Sequence, residues 1–242
     1  MTPLQEPALK RRNGAPAAQE QTSEAPVSHK SVVREYAEAF GIALALAIII
    51  RTFLVQAYKI PSGSMEPTLL IGDHILVNKV LYGLRVPDSI LGLEIPGLPL
   101  GRYLIRFESV HRGDVVVFVF PPDQSKDFIK RVIGVAGDTI QVQGGKVILN
   151  GAPIDDPHAH FEVLDHDRSP MSPRDYFGPV TVPPGKIFVM GDNRDRSYDS
   201  RFWGFVDLDE VEGRAMIIYW SWDSDGSGWL PIRWSRFGRI VH

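Results

Sequence analysis

The sequence predicts a mainly β protein: a twisted antiparallel β-sheet or barrel, preceded by a single N-terminal transmembrane helix. Pro (19) and Gly (22) are abundant among the 242 residues. Short runs rich in valine and isoleucine recur between these turn formers, which is typical of β-strands. An apolar segment within residues 32–57 predicts the helix. The chain is also long enough to bury a substantial hydrophobic core.

The composition excludes several classes of function. Lys plus Arg (26) nearly balance Asp plus Glu (29), and the formal net charge is −3, which argues against nucleic acid as a partner. Cysteine is absent, which excludes disulfides, cysteine nucleophiles and thiolate metal sites. The chemistry described below requires no cofactor and no metal ion.

The N-terminal residues 1–31 are predicted to form a disordered tail. They are rich in Ala, Pro, Glu, Gln and Ser and carry few large apolar side chains, so they cannot bury enough surface to offset the entropy of ordering. More positive charges lie before the apolar segment than just after it, which places the tail in the cytoplasm. These charges are Lys10, Arg11, Arg12, Lys30 and Arg34 before the segment, and Lys59 after it.

Residues 32–57 are predicted to form the transmembrane helix, with a charge-free stretch at 40–50. Arg51 interrupts the apolar run but can extend its charge toward one membrane interface. A buried helix of a soluble protein and a cleavable export signal are alternatives for this segment. The prediction is therefore a single-pass protein of the inner (plasma) membrane, with residues 58–242 forming an extracytoplasmic β-rich catalytic domain.

Seven short segments are predicted to be strands of the β domain. Each is rich in valine, isoleucine or aromatic residues and bounded by turn formers. Residues 82–101, dense in Leu, Pro and Gly, and residues 155–175, polar and rich in proline, are predicted to be loops or lids. The predicted strands are 74–80, 115–120, 128–136, 139–142, 146–149, 186–190 and 214–222.

A candidate nucleophile, Ser64, lies directly after the apolar segment, within Ile-Pro-Ser-Gly-Ser-Met-Glu-Pro-Thr-Leu at 60–69. The prolines and the glycine of this run restrict or permit unusual backbone angles, so they can hold the hydroxyl on a fixed turn. Ser62 and the backbone N–H of Ser64 are candidate donors to a developing oxyanion. Taken alone, the same run also fits an ordinary turn.

Serine is a weak nucleophile at neutral pH and needs a base, for which Lys130 is the best candidate. In a strand, Phe128, Lys130 and Val132 share one face, where apolar neighbours would desolvate the amine. Desolvation disfavours the ammonium form and lowers the pKa from about 10.4 toward neutrality. Arg131 cannot be the base because it stays protonated.

The third candidate segment, residues 191–205, is a loop with alternating Asp and Arg directly after an apolar strand. Its density of side-chain donors and acceptors is unusual for a solvated loop. Ser197 is placed to orient the lysine amine, and Asp199 with Arg201 to brace the loop as an ion pair.

The three segments resemble the type I signal peptidases, membrane-anchored serine proteases that remove signal peptides from exported proteins. The resemblance covers residues 42 to about 219, and its motifs occur in the order found in that family. The matching runs are IPSGSMEPTL at 60–69, KRVIG at 130–134 followed by GD at 137–138, GDNRD at 191–195, and S-x-DSR-x-WG at 197–204.

This resemblance implies a Ser-Lys dyad, with Ser64 as nucleophile and Lys130 as general base. It implies Ser62 and the Ser64 N–H as the oxyanion hole. It also implies the substrates, which are preproteins whose signal peptide has small residues, typically alanine, at the first and third positions before the cut. It further implies a hydrophobic surface that meets the lipid bilayer. The supporting residues that it implies are Ser197, which would orient the amine, and the ion pair of Asp199 and Arg201.

The sequence departs from the family pattern in two respects. A single hydrophobic span precedes Ser64, where some members have two. Residues 139–183 are short for a full second β domain, so a reduced insertion is expected there. Neither departure touches the residues assigned to the chemistry.

Other interpretations fit single features of the sequence. No histidine adjoins a Gly-x-Ser-x-Gly motif, which argues against the interpretation of the chain as a Ser-His-Asp hydrolase. His158 and His160 offer a metal site only with a better third ligand. A self-cleaving repressor would carry a DNA-binding module in place of the tail and helix, and a membrane-anchored binding module would not need both Ser64 and Lys130. The tryptophans near the C-terminus belong either to a core or to an interfacial belt; they are Trp220, Trp222, Trp229 and Trp234.

Overall fold

The computed structural model describes residues 32–86, 102–162, 169–223 and 231–242. The chain divides into two units, Met1–Ile42 and Ala43–His242. The predicted disordered tail, residues 1–31, lies outside the described residues. Helix α1 (Val32–Ile49) is the first described element, and a π-helical turn at Ile50–Leu54 follows it. No side chain of α1 is buried.

The remainder of the described chain is mainly β, as predicted, and every strand pairing in it is antiparallel. One short α-helix, α2 (Ser200–Trp203), and three 3-10 turns interrupt it. The strands are β1 (Val55–Lys59), β2 (Asp73–Asn78), β3 (Gly83–Arg85), β4 (Tyr103–Arg106), β5 (Val115–Val119), β6 (Asp127–Val135), β7 (Thr139–Gln143), β8 (Lys146–Leu149), β9 (Ala152–Pro153), β10 (Tyr176–Thr181), β11 (Lys186–Met190), β12 (Val206–Asp207), β13 (Val211–Ser221) and β14 (Arg239–Ile240).

The main sheet runs in the order β1-β2-β13-β5-β6-β11-β12, with β14 pairing to β13. Among the described strands, β1 and β12 end this order and do not pair with each other, so the structure favours an open sheet over a closed barrel. The sheet places β5 beside β6, with Val116 opposite Lys130 in the ladder. The predicted strand that carries the candidate base is therefore an interior strand of this sheet.

The predicted helix at 32–57 ends earlier in the structure. Residues 55–57 belong to β1, which pairs with β2 from Val55 opposite Asn78 to Lys59 opposite His74. This pairing satisfies the backbone N–H and C=O groups of the segment, which a continued helix would have satisfied internally. Of the residues that the structure describes, none belong to a helix that combines the length and apolarity expected for crossing a membrane.

The predicted reduced insertion at 139–183 forms a sheet of its own, in the order β10-β7-β8-β9. Ile140, Val142 and Val147 of this sheet are buried against Phe188 of β11, so the insertion shares a core with the main sheet. The region predicted as a loop at 82–101 begins with β3, which pairs with β4. Residues 87–101 of that region lie outside the described residues.

A second cluster of buried side chains lies directly under the candidate serine. Met65 and Leu69 are fully buried among residues of β2, β5 and β13, such as Ile75 and Val117. Burying two side chains of this size contributes on the order of 3–6 kcal/mol of hydrophobic free energy. The segment that follows Ser64 is thus fixed to the sheet by its own apolar residues.

Candidate active site

Ser64 lies in a single 3-10 turn, Gly63–Met65, a few residues after β1 ends. Ser62, just before the turn, has an extended backbone with φ −138° and ψ 153°. The turn is closed by the backbone N–H of Glu66, which donates to the carbonyl of Gly63 at 3.2 Å. The N–H of Leu69 donates to the carbonyl of Met65 at 2.9 Å, so both ends of the serine turn are held.

The amine of Lys130 reaches this serine from β6. Its Nζ lies 2.7 Å from the Oγ of Ser64 and 3.0 Å from the carbonyl oxygen of Ile129. Lys130 is only 4% exposed. A buried lysine amine within hydrogen-bond reach of a serine hydroxyl is the arrangement that activates serine in the absence of histidine.

The surroundings of Lys130 make its amine a usable base. Burial is the main cause that lowers the pKa of Lys130 to about 8, because the ammonium form loses its hydration. The carboxylates of Asp199 and Asp192 oppose this by favouring the ammonium, while the Arg201 guanidinium adds to the lowering. The balance leaves the amine able to take up and release a proton near neutral pH.

The pH dependence of activity follows from this pKa. A lysine amine acts as a base only in its neutral form, so if Lys130 is the base of Ser64, kcat/KM is expected to rise with pH through about 8 and to level off above it. Between pH 7 and pH 9 the neutral fraction rises roughly tenfold, and kcat/KM should follow it. Initial rates at subsaturating substrate over pH 6–10 check this. A flat profile over that range would contradict the assignment of Lys130 as the base.

Residues 191–193 hold the serine segment from its other side. The backbone N–H of Asn193 donates to the carbonyl oxygen of Ser64 at 3.1 Å. The N–H of Gly191 donates to the Oγ of Ser197 and to Asp199, each at 3.1 Å. A Cβ at position 191 would overlap the Ser64 carbonyl oxygen and the Ser197 hydroxyl. Glycine at 191 is therefore what lets this loop approach Ser64 so closely.

Gly191→Ala is accordingly expected to displace the serine turn. The added methyl group must push apart the backbone of Ser64 and the side chain of Ser197, which costs roughly 1–3 kcal/mol of stability. A displaced nucleophile should lower kcat at least about tenfold. Thermal unfolding and turnover measured together check this. Gly41→Ala is the matched control, because a Cβ there meets nothing within 4 Å.

Asp199 and Arg201 form the ion pair predicted for them. The guanidinium donates from Nε and Nη2 to the two carboxylate oxygens, each at 2.8 Å, and both side chains are buried. Burial alone would raise the pKa of Asp199, but Arg201 and the Ser197 hydroxyl outweigh it and hold the pKa below its ordinary value. Arg201 also donates to the carbonyl oxygen of Arg194 at 2.7 Å. The pair thereby braces the whole loop.

Ser197 lies in the site but makes different contacts from those expected. Its hydroxyl accepts from Gly191 and hydrogen-bonds Asp199, and the structure gives it no hydrogen bond to the amine of Lys130. Within the described residues, the second partner of that amine is instead the Ile129 carbonyl oxygen. This main-chain oxygen lies on the same strand as Lys130.

Asp192 is a residue of the site whose role the sequence did not reveal. Arg131 donates to its two carboxylate oxygens from Nε and Nη2, each at 2.7 Å, and both residues are buried. Thr68 donates to the same carboxylate from its hydroxyl at 2.5 Å. Asp192 thus joins β6, the loop after β11 and the serine segment in one hydrogen-bonded unit.

Part of the region predicted as a loop or lid at 155–175 lies along the 191–196 loop. The N–H of His160 donates to the carbonyl oxygen of Asp192 at 2.7 Å, and the N–H of Arg194 donates to the carbonyl oxygen of His160 at 2.9 Å. Asp156 forms an ion pair with the buried Arg194. The backbone of this segment therefore supports the loop; residues 163–168 lie outside the described residues.

A cavity of about 380 Å³ opens in front of Ser64 and Lys130. Ser62 is exposed on its wall, so its hydroxyl is available to a bound molecule. A larger cavity of about 720 Å³ lies elsewhere, between Arg85 and Glu210, and shares no lining residue with the first. We place the site in the smaller cavity because it contains the serine and the lysine. Its other lining residues are Gly63, Glu66, Ile71, Phe128, Arg196 and Tyr198.

The serine, the buried amine and the cavity beside them define a candidate Ser-Lys hydrolase site. The family model for "Signal peptidase, peptidase S26" matches residues 33–220, and the chain belongs to this family of serine-type peptidases. The chain is 35% identical to a signal peptidase I of Leptolyngbya laminosa, over 85% of each chain. It is 33% identical to a signal peptidase I of Pseudomonas aeruginosa, over 86% of this chain and 79% of that one. It is 38% identical to a probable signal peptidase I-2 of Synechocystis, over 77% and 72%.

Proposed function

We propose that this chain is a membrane-anchored endopeptidase that cleaves signal peptides from exported preproteins after Ala-x-Ala-type sites. Ser64 is the nucleophile and Lys130 the general base. The observation that carries the proposal is the 2.7 Å hydrogen bond between Lys130 Nζ and Ser64 Oγ at a buried position. The names of the curated relatives, signal peptidase I, support the substrate class.

The proposed reaction is acyl transfer in two steps. Neutral Lys130 accepts the proton of Ser64 as its Oγ attacks the scissile carbonyl carbon, and the ammonium then gives that proton to the departing amine. The Ser62 hydroxyl and the Ser64 N–H donate to the oxyanion. In the second step a water molecule, deprotonated by Lys130, attacks the ester and releases the carboxylate and the serine hydroxyl.

The supporting residues hold this geometry. The Asp199–Arg201 pair and the N–H of Gly191 hold the loop in shape, and the N–H of Asn193 joins it to the carbonyl oxygen of Ser64. In this proposal Ser197 acts through that loop and through Asp199.

The lipid bilayer is part of the proposed function. We assign residues 1–31 to the cytoplasm, residues 32–54 to the anchor and residues 55–242 to the extracytoplasmic side, because residues 55–57 pair with β2 in the main sheet. The exposed apolar side chains along α1 and the excess of positive charge before it support this topology. Localisation of the full chain to the inner membrane, resistant to alkaline extraction, is the expected result.

The C-terminal tryptophans supply a second candidate contact with lipid. Trp222 is 42% exposed and Trp234 is 63% exposed, whereas Trp220 is half-buried against Phe237. Trp229 lies outside the described residues. Exposed indole rings favour the membrane interface. The double substitution Trp222→Ser and Trp234→Ser should weaken liposome binding of a fragment that starts at residue 55. Unchanged partitioning would contradict the assignment of these tryptophans to a lipid-contacting surface.

The function is tested by cleavage of a purified preprotein by the detergent-solubilised full chain. We expect one cut, directly after the second alanine of Ala-x-Ala, located by mass spectrometry of both products. Replacing either alanine by a large residue should abolish that cut. If the folded enzyme leaves the preprotein intact, the alternative of a binding module becomes the better account.

A further inference from the structure

Four aromatic rings extend from the cavity in front of Ser64; we call them the aromatic shelf. Phe120 stacks on Phe128 with ring centroids 4.0 Å apart and planes 7° from parallel. Tyr198 meets the ring of Phe120 edge-on at 6.3 Å and lies 5.4 Å from Phe202. Tyr198 is 53% exposed and Phe202 is 42% exposed. The inner rings are thus packed, and the outer two present apolar surface to solvent.

The shelf lies on the lysine side of the nucleophile. The Phe128 ring centroid is 5.4 Å from Nζ of Lys130, and Phe128, Lys130 and Tyr198 line the same cavity. In acyl transfer the base returns its proton to the nitrogen of the departing amine, so that nitrogen must lie within reach of Nζ. The residues that follow the scissile bond therefore begin near the amine of Lys130, beside the Phe128 end of the shelf.

The charged side chains in this part of the cavity do not offer another way to select between substrate side chains. Arg196 lines the cavity, but its Nε donates to Glu162 at 2.7 Å, and the lining also contains the carboxylate of Glu66. A guanidinium that is already paired, in a cavity that also holds a carboxylate, offers little net attraction to an acidic substrate side chain. The exposed ring of Tyr198 is an uncharged surface of this cavity that can distinguish one substrate side chain from another.

We propose that the aromatic shelf is a subsite for the first two residues after the cut, and that it favours an apolar or aromatic side chain there. The subsite rests on the proposed peptidase function and adds a second selection to it. Tyr198 is the specificity-determining residue, because its ring is exposed at the cavity while those of Phe120 and Phe128 are largely covered by their neighbours. Contact between a substrate side chain and an aromatic ring buries apolar surface from both partners.

The test compares preproteins that share one Ala-x-Ala site and carry Leu, Phe, Ser or Asp at each of the first two positions after it. With wild type, kcat/KM for Leu or Phe is expected to exceed that for Ser by about fivefold at one of these positions. Tyr198→Ala should bring this ratio close to one, and Tyr198→Phe should retain it. Tyr176→Ala, which removes another exposed tyrosine from the smaller sheet, is the matched control and should leave the ratio unchanged.

The possible outcomes separate the proposed subsite from the proposed peptidase function. Equal kcat/KM for Leu, Phe and Ser at both positions overturns the subsite while the cut after Ala-x-Ala still supports the peptidase. A preference for Asp that disappears in Arg196→Gln also overturns it, in favour of selection by charge. No cleavage of any substrate by folded wild-type enzyme refutes the proposed function itself. If Tyr198→Ala keeps the wild-type ratio of kcat/KM for Leu or Phe over Ser, Tyr198 does not determine this preference.

Discussion

Lys130→Ala is expected to lower kcat/KM at least about 10³-fold while the protein stays folded. The amine is the only base within hydrogen-bond reach of the Ser64 hydroxyl in the described part of the chain. Without it the serine proton has no acceptor of suitable pKa, and substrate binding and the oxyanion donors alone cannot restore turnover. The thermal midpoint should not fall greatly, because the substitution also removes the cost of burying an amine.

The matched control for this variant is Lys146→Ala, which removes an exposed lysine on β8. It should keep wild-type kcat/KM. Circular dichroism of both variants separates loss of the base from loss of the fold. Turnover by a folded Lys130→Ala protein within tenfold of wild type would show that another group deprotonates Ser64.

Arg131→Met is expected to cause the largest loss of stability of any single substitution proposed here, about 3–5 kcal/mol. It leaves the carboxylate of Asp192 fully buried without its guanidinium partner, with only the Thr68 hydroxyl still donating. A buried charge that loses its partner keeps its full cost of desolvation. Activity should fall as well, because Asp192 joins β6 to the loop that holds Ser64.

Urea unfolding measures this loss as a shift of the midpoint at constant slope. The matched control is Lys126→Met, which breaks the ion pair of Lys126 with Asp123 on the surface. An exposed pair of this kind contributes little to stability, because water and salt screen it. Equal effects of the two substitutions would mean that the Arg131–Asp192 pair does not hold the site together.

Local sequence patterns were sufficient to predict much of the sheet. Alternation on β6 predicted that Lys130 shares the face of Phe128 and Val132, and the structure places Lys130 on a buried face of that strand. The predicted strands correspond to β2, β5, β6, β7, β8, β11 and β13, with ends that differ by at most three residues. Valine and isoleucine between turn formers suffice here because the buried face repeats every second residue.

The start of the β domain could not be predicted in this way. Residues 55–57 continue an apolar run that reads equally well as helix, and only the pairing of β1 with β2 makes them a strand. Local sequence carries no information about a partner strand some 20 residues away. The strand β3 was not predicted for a related reason, because residues 82–101, rich in Leu, Pro and Gly, have no clear period.

The contacts that position the site depend on residues that are distant in sequence. Arg131 pairs with a carboxylate 61 residues away, and Thr68 reaches the same carboxylate across 124 residues. Arg131 was considered from the sequence only as a candidate base, so its ion pair with Asp192 was not predicted. Gly191 stood inside a recognised motif, yet its close approach to Ser64 is visible only once the loop and the serine turn are seen together.

The most direct test of the Ser64–Lys130 dyad is to locate the acyl group during turnover. The full chain is mixed with a preprotein, quenched in acid within the first turnover, digested and analysed by mass spectrometry. The dyad predicts that the signal peptide is esterified to the Oγ of Ser64 in wild type, and that no such adduct forms in Lys130→Ala. An acyl group on another residue, or an adduct on Ser64 that forms as fast without Lys130, would contradict it.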